Sequence, residues 1–149
     1  MRLTNYTDFS LRTLIFLAAK DPSELSTITE IAEAYSISKN HLTKVVHELG
    51  KIGAIETLRG RGGGIRLAIP PEEINIGAIV RKTEEDFKLV PCFEEGGSHT
   101  CVISPVCSLK HALHRALTAY LSVLDEYTLA DLVATPHDYR VLLGIETRE

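Results

Sequence analysis

The chain has 149 residues, 44% of them hydrophobic, and its 20 acidic residues outnumber 16 basic ones for a formal net charge of −4. This length fits one compact domain, or a small domain with a helical extension. The negative charge argues against nonspecific nucleic-acid binding over the whole surface. No apolar run approaches the roughly 18–20 residues of a membrane span, and no secretory signal is evident, so we expect a cytoplasmic protein.

Charge is unevenly distributed along the chain. Residues 39–66 carry two acidic residues, Glu48 and Glu56, against six basic ones: Lys39, Lys44, Lys51, Arg59, Arg61 and Arg66. Residues 71–149, by contrast, are rich in acid. A basic segment on an acidic protein is the electrostatic footprint of a local nucleic-acid contact. The alternative is a solvated helix face without a ligand.

The first predicted helix covers residues 2–20. Asp8 and Arg12 are four residues apart and are predicted to pair on one face. Asp21 and Pro22 end the helix, because a residue before proline is disfavoured in the α conformation. The apolar face has near-helical spacing and comprises Leu3, Tyr6, Leu14, Ile15, Leu17 and Ala18.

Two short helices joined by a tight turn follow. Thr27 and Glu30 form a capping-box pattern for a helix that reaches about Tyr35. Ser38 is a good N-cap for the next helix, predicted over residues 39–49. Its inward positions are Leu42, Val45, Val46 and Leu49, and its polar positions include Asn40, His41, Lys44 and Lys51. This arrangement is typical of a helix-turn-helix.

A basic hairpin is predicted next, with strands at residues 54–58 and 65–69. Its tip carries Arg59 and Arg61 among four glycines at positions 60 and 62–64, which permit positive φ and close approach to a surface. A helix-turn-helix followed by such a hairpin predicts a winged helix. A phosphate-binding loop is the alternative, but the Lys-Ser/Thr ending of a Walker loop is missing and no helix follows directly.

Four helical segments are predicted after the hairpin, the last two being a short turn capped by Thr128 and another from Pro136 to near Gly144. One covers residues 72–85, and a longer one opens with Pro105 as its first-turn proline. Its nearly heptad-like seam spans about 22 residues, or about 33 Å, which is more apolar face than a small domain covers. We therefore expect a homodimer that pairs this helix with its copy; packing along its own chain is the alternative. The seam comprises Val106, Leu109, Leu113, Leu117, Tyr120, Leu124 and Tyr127.

All three cysteines lie in one segment, Cys92, Cys101 and Cys107, with the spacing C-x8-C-x5-C. An odd number excludes a fully paired disulfide set within one chain. In a reducing cytosol, clustered thiols indicate metal or redox chemistry, and thiolates suit zinc or iron–sulfur centres. A closed site usually needs four protein ligands. The fourth must come from another residue type, a small molecule or a second chain.

The sequence resembles the Rrf family of bacterial winged-helix regulators over nearly its whole length. The resemblance is carried by MRLTNYTDFSLR at the N-terminus, ISKNHLTKVVHELG in the helix-turn-helix, the RGRGGGIRL hairpin and the three-cysteine loop before a long helix. It implies a mainly α fold with a small β-hairpin wing. Residues 1–70 would form the winged helix-turn-helix DNA-binding domain, and residues 71–149 the cluster-binding loop and the long C-terminal dimerisation helix.

Within that family the sequence looks most like the repressors that sense nitric oxide. The resemblance implies a [4Fe–4S] cluster held by the three cysteines and by a carboxylate from the first helix of the other subunit, which matches Asp8. From the residues alone, an aspartate there is more simply a solvated or dipole-complementing group. The family's [2Fe–2S] members instead use a histidine three residues after the last cysteine, where this chain has Lys110, with His111 one further on. His99 is a spare candidate inside the loop.

These features predict a transcription repressor released from operator DNA by nitric oxide. Asn40, His41 and Lys44 would lie near base edges or phosphates of the major groove, on the helix that begins at Lys39. Ser38 would donate to a phosphate, and Arg59 and Arg61 would reach the minor groove. The alternative signal is iron, cluster supply or redox state. An enzyme is not expected, because no nucleophile–base–orienter pattern accompanies the thiols and nearby histidines.

Overall fold

The computed structural model describes residues 1–94 and 101–146, and within them the chain is mainly helical with one β-hairpin. No helix in these ranges is both long and apolar enough to cross a membrane. The elements in chain order are α1 Asn5–Ala18, α2 Ile28–Tyr35, α3 Lys39–Lys51, β1 Ile55–Leu58, β2 Gly64–Leu67, α4 Ile76–Thr83, α5 Ser108–Asp125, α6 Leu129–Leu132 and α7 Pro136–Leu143.

The helix-turn-helix is formed by α2 and α3. The predicted capping box at Thr27 is confirmed: Glu30 N–H donates to the Thr27 hydroxyl at 3.2 Å, and Thr27 N–H donates to the Glu30 carboxylate at 2.6 Å. Helix α2 ends at Ser36, whose φ of 54° is left-handed and turns the chain sharply. Ser38 occupies the N-cap position of α3, as predicted, although its side chain makes no capping hydrogen bond.

The hairpin is anchored to the body by a third segment of chain. Strands β1 and β2 pair antiparallel, with Ile55 opposite Leu67 and Leu58 opposite Gly64. Ser26 bridges the outer side of β2, donating its N–H to Ile65 O at 2.9 Å and accepting from Ile65 N at 2.8 Å. Because Ile65 is 3% exposed, the root of the hairpin is fixed in the core while its tip projects.

One hydrophobic core joins the N-terminal and C-terminal parts of the chain. Helix α1 supplies fully buried Leu14, and α3 supplies Leu42 and Leu49. Residues after the hairpin enter the same cluster, including Val80 of α4 and Leu129 of α6, each 0% exposed. The helix-turn-helix therefore shares a core with α4 and α6, the helices that precede and follow the cysteine segment and α5.

The ends of three predicted helices differ from the sequence expectation. Helix α1 is shorter than residues 2–20, because Thr4 caps it by accepting from Thr7 N–H at 3.2 Å. The helix expected over residues 72–85 is split into a 3₁₀ turn, Pro71–Glu73, and α4, which Asn75 caps. The expectation that Pro105 opens the long helix is wrong: Pro105 lies in a separate 3₁₀ turn, and the extended backbone of Cys107, with ψ of 102°, delays the helix to Ser108.

The C-terminal end of α5 is tied closely to α4. Arg81 forms a two-pronged ion pair with Asp125, in which Nη2 lies 2.8 Å from Oδ2. Asn75 Nδ2 donates to Asp125 O at 2.7 Å. A Cβ atom at Gly77 would lie 2.0 Å from Asp125 Oδ1, so only glycine leaves the ion pair its room.

We expect the Arg81–Asp125 pair to make stability depend on pH on the acid side. Hydrogen bonding from Arg81 lowers the pKa of the Asp125 carboxyl. The folded protein then holds fewer protons than the unfolded chain, so this contribution is present above the ordinary Asp pKa and is lost as pH falls through the lowered one. Urea unfolding between about pH 7 and about pH 3 should show a shallower loss of stability for Asp125→Asn than for the wild type.

Arg81→Gln is the matched variant, because it removes the donor and leaves the carboxyl. It should flatten the same part of the pH profile, and the double variant should be no flatter than either single one. An Asp125→Asn profile parallel to that of the wild type would contradict the assignment.

Candidate nucleic-acid interface and metal centre

Helix α3 presents a polar face that its buried face holds in place. The four positions predicted to face inward, Leu42, Val45, Val46 and Leu49, are all buried. The residues of the helix-turn-helix that are predicted to contact DNA are all exposed, at the start of this helix or just before it: Ser38, Lys39, Asn40, His41 and Lys44. Lys51 differs from them, because its ammonium pairs with Glu48 at 2.7 Å.

The beginning of α3 is suited to an anion. A helix N-terminus carries unsatisfied N–H groups and a partial positive charge, so it attracts phosphate oxygens. The exposed Ser38 hydroxyl makes no bond to these N–H groups and is left available to an outside partner. Lys39 and Lys44 add formal charge on the same helix.

His41 also makes a contact within the protein. Its ring centroid lies 6.0 Å from that of Phe9 in α1, with the two planes tilted by 34°. Phe9 directly follows Asp8. The contact therefore places the first half of α1 against the exposed side of α3. Sequence reasoning missed it, because a cross-helix contact leaves no local periodic signal.

The hairpin tip holds two exposed arginines on a backbone shaped by glycine. Gly60 and Gly62 have φ of 100° and 76°, in the left-handed region that side chains disfavour. Arg59 and Arg61 are exposed. Arg66, further down β2, instead pairs with Glu56 across the hairpin at 2.5 Å. The Arg59 and Arg61 guanidinium groups at the tip are therefore exposed, whereas the Arg66 guanidinium on the strand is held in an ion pair.

The three cysteines are all free thiols in short or irregular segments. Cys92 is half-buried in a 3₁₀ turn, Pro91–Phe93, and Cys101 is exposed. Cys107 is half-buried at the N-cap of α5, where its Sγ accepts from Lys110 N–H at 3.4 Å. His99, the spare candidate, lies outside the described residues.

Their chemistry suits a soft metal centre, although they are not gathered in the single chain. Free thiols become thiolates when they bind, and thiolates are the ligands of zinc and of iron–sulfur clusters. Within residues 1–94 and 101–146, no group of three or more His, Cys, Asp or Glu side chains is placed to hold a metal ion. The donor set of three thiols nevertheless fits such a group in its chemistry.

Asp8 lies in the first turn of α1, away from that segment in sequence. Its Oδ2 is 2.9 Å from Arg12 Nε, which confirms the predicted pair, and its side chain is 42% exposed. The Arg12 guanidinium carbon lies 5.7 Å from the ring centroid of Tyr35, at the end of α2. Burial raises the pKa of the Tyr35 phenol to about 12, against the lowering effect of Arg12. Tyr35 was not singled out from the sequence.

The exposed apolar surface of α5 is the remaining feature of the site. Within α5 no residue is buried, and Leu109 and Val123 are 62% and 51% exposed. Val106, just before the helix, is 82% exposed. A helix with this much uncovered apolar area marks an interaction surface.

Comparison with known proteins identifies the family. Residues 3–135 match a family model described as "Rrf2: Iron-dependent Transcriptional regulator". The chain is 64% identical to the HTH-type transcriptional regulator NsrR of Bacillus subtilis, over 98% of this chain and 99% of that protein. It is 59% identical to the protein of the same name in Bacillus licheniformis, over 97% and 100% of the two chains.

A solved structure confirms the fold. The structure of CymR, the global cysteine regulator of B. subtilis, matches with a TM-score of 0.72 and 27% identity, over 90% of this chain and 97% of that one. These relatives are named as regulators of transcription, which is a non-enzymatic class. The chain therefore belongs to the Rrf2 family, and it is a DNA-binding transcription regulator with a winged helix.

Proposed function

We propose that this regulator is a cytoplasmic homodimeric repressor that senses nitric oxide through a [4Fe–4S] cluster. The observation that carries the proposal is the set of three free cysteines, Cys92, Cys101 and Cys107, in the segment that precedes α5, a helix with exposed apolar side chains. The high identity to proteins named NsrR supports it, and so does the description of the family as iron-dependent.

Two copies would pair through the apolar face of α5. Burying exposed groups such as those of Leu109 and Val123 would stabilise the dimer through the hydrophobic effect. A two-fold dimer presents two copies of α3, which predicts a palindromic operator with half-sites about one helical turn apart.

Each DNA-binding unit of the dimer, called a reading head below, would use helix α3 and the hairpin tip together. Helix α3 would enter the major groove, with Asn40, His41 and Lys44 near base edges or phosphates and with Ser38 and Lys39 at the backbone. Arg59 and Arg61 would reach into the neighbouring minor groove, where narrow A·T-rich DNA attracts arginine. These contacts are local, which explains how a chain of net charge −4 binds a polyanion.

The three cysteines of one subunit and Asp8 of the partner subunit would hold the cluster, with [2Fe–2S] as the alternative form. When bound, an iron–sulfur cluster supplies iron atoms with which nitric oxide reacts. Asp8 would offer an oxygen ligand, which is harder than thiolate and would therefore be the weakest of the four on iron. Once released, its carboxylate has Arg12 as a ready partner at 2.9 Å. The two reading heads are then free to shift relative to one another and to leave the operator.

The family description favours one alternative signal. "Iron-dependent" is consistent with a regulator of the same fold that responds to iron, to cluster supply or to redox state. The ligands would be the same residues. Mapping the genes beside the operators separates the two, since nitric-oxide detoxification and iron or cysteine metabolism require different target genes.

Protein purified without oxygen should contain about four iron atoms and four sulfides per chain and should bind its operator until nitric oxide is added. Iron and acid-labile sulfide analysis, followed by operator binding before and after addition, checks this. Colourless protein with one zinc per chain would end the iron–sulfur proposal. Release by an iron chelator but not by nitric oxide would favour the alternative signal.

Asp8→Ala should still acquire a cluster, because the three thiols remain, but with a changed absorption spectrum and a changed nitric-oxide titration. Asp21→Ala is the matched control, because it removes a carboxylate beyond the other end of α1. Titration curves for Asp8→Ala that superimpose on those of the wild type would remove Asp8 from the ligand set.

Arg61→Ala should weaken operator binding and reduce the steepness of log affinity against log salt by about one, as expected when one positive charge is lost from the DNA interface. Arg66→Ala is the control, because the Arg66 guanidinium is already paired with Glu56. Equal losses for the two variants would show that the tip has no special part in DNA binding.

A further inference from the structure

Arg12 has two partners of different kinds, and they lie on different helices. Its Nε is 2.9 Å from the Asp8 carboxylate in α1, and its guanidinium carbon is 5.7 Å from the centroid of the Tyr35 ring in α2. A guanidinium within about 6 Å of an aromatic ring is attracted by the negative face of that ring. Arg12 therefore connects the proposed ligand to the helix-turn-helix.

Tyr35 is placed where such a connection matters. It is the last residue of α2, and Ser36, with its left-handed φ of 54°, follows at once and sets the turn into α3. The ring is held on another side by Phe16 of α1, at 6.4 Å between centroids with the planes 62° apart. The phenol is neutral at physiological pH, as for any tyrosine, and burial raises its pKa further, to about 12, so Arg12 lies over an uncharged ring.

We propose that Arg12 is a positioning residue that couples the Asp8 carboxylate to the turn of the helix-turn-helix through the ring of Tyr35. The proposal deepens the proposed function and rests on it, because it gives the state of Asp8 a route to the reading head. When Asp8 is engaged by the partner's cluster, its charge is withdrawn from Arg12. The guanidinium then interacts more strongly with the Tyr35 ring and steadies the turn before α3.

When Asp8 is released, it competes for Arg12 again. The ion pair draws the guanidinium toward the carboxylate, and the interaction with the ring weakens. In the structure Arg12 contacts Asp8 at 2.9 Å while its guanidinium carbon lies 5.7 Å from the Tyr35 centroid, near the outer limit of about 6 Å for a cation–π contact. Arginine suits the role, because its planar guanidinium donates hydrogen bonds to a carboxylate through its edge and stacks on an aromatic ring through its face.

The test compares variants by the ratio of operator affinities of the cluster-loaded and cluster-free forms of the full chain. The DNA probe is a duplex that the loaded wild type selects from a random-sequence pool. Arg12→Gln and Tyr35→Leu should each lower the ratio by about 2- to 5-fold, the effect of one cation–π interaction. Tyr35→Phe keeps the π face and should keep the wild-type ratio. Arg12→Lys keeps the positive charge and should give a ratio between those of Arg12→Gln and the wild type.

The matched control is Lys20→Gln. Lys20 Nζ also lies over an aromatic ring, 5.9 Å from the centroid of Phe16, but near the opposite end of α1 from Asp8. Its loss should leave the ratio unchanged. The proposal would be overturned if Tyr35→Leu kept the wild-type ratio of operator affinities while Arg12→Gln lowered it. Arg12 would then act on Asp8 alone.

A separate measurement on cluster-free protein distinguishes this proposal from the proposed function. If Arg12 and Tyr35 interact, their effects on the urea unfolding midpoint should not add in the double variant Arg12→Gln/Tyr35→Leu. Additive shifts would overturn the link whatever the cluster does. Non-additive shifts in the variants would support the link. If the cluster-loaded and cluster-free wild type also bound DNA equally, the sensing function would be refuted while the link stood.

Discussion

The structure depends on the burial of α1 against the rest of the chain. Leu14 is fully buried, and Phe16 and Leu17 are nearly so, among side chains from both the helix-turn-helix and α4. Both ends of the helix are held by later residues: Thr4 N–H donates to Glu84 at 2.8 Å, and Arg140 donates to Ala19 O. A helix fixed in this way carries any displacement of its first turns to its neighbours.

That first part of α1 has polar and aromatic side chains with neighbours on both helices of the reading head. Phe9 meets His41 of α3, and Arg12 meets Tyr35 of α2. Asp8 directly precedes Phe9, pairs with Arg12, and is exposed enough to accept a second partner. The same few residues are thus close to the groups that would read DNA and available to a ligand site. This proximity makes a sensing role physically reasonable for a small domain.

Much of the fold follows from local patterns in the sequence. The capping box at Thr27, the buried face of α3 and the glycine-rich hairpin tip are determined by residues close together in the chain, and all were predicted. The contacts that hold α1 join residues 80 and 121 positions apart, and no local pattern encodes them. The start of α5 was misjudged because proline is acceptable in the first turn of either a 3₁₀ turn or an α-helix.

In the candidate site, too, some residues can be singled out from the sequence and others only from the packing. Residue type and spacing single out the three cysteines, while the two-domain boundary at residue 70 and the ligand set remain predictions. Asp8 owes its candidacy to family resemblance, since an exposed acid near a helix start is common. Tyr35 and Phe9 acquire interest only from the packing of helices, because an aromatic residue on an amphipathic helix ordinarily belongs to the core.

The unequal attachment of α5 has a mechanical consequence. Its last turn is fixed to α4 by the Arg81–Asp125 pair and by the Asn75 amide, whereas at its first turn Cys107 accepts one long hydrogen bond from Lys110 within the helix itself. Helix α5 is therefore attached to α4 at its C-terminal end. Strain applied at the cysteine end would bend or tilt α5, and its attachment to α4 would transmit the displacement to the shared core.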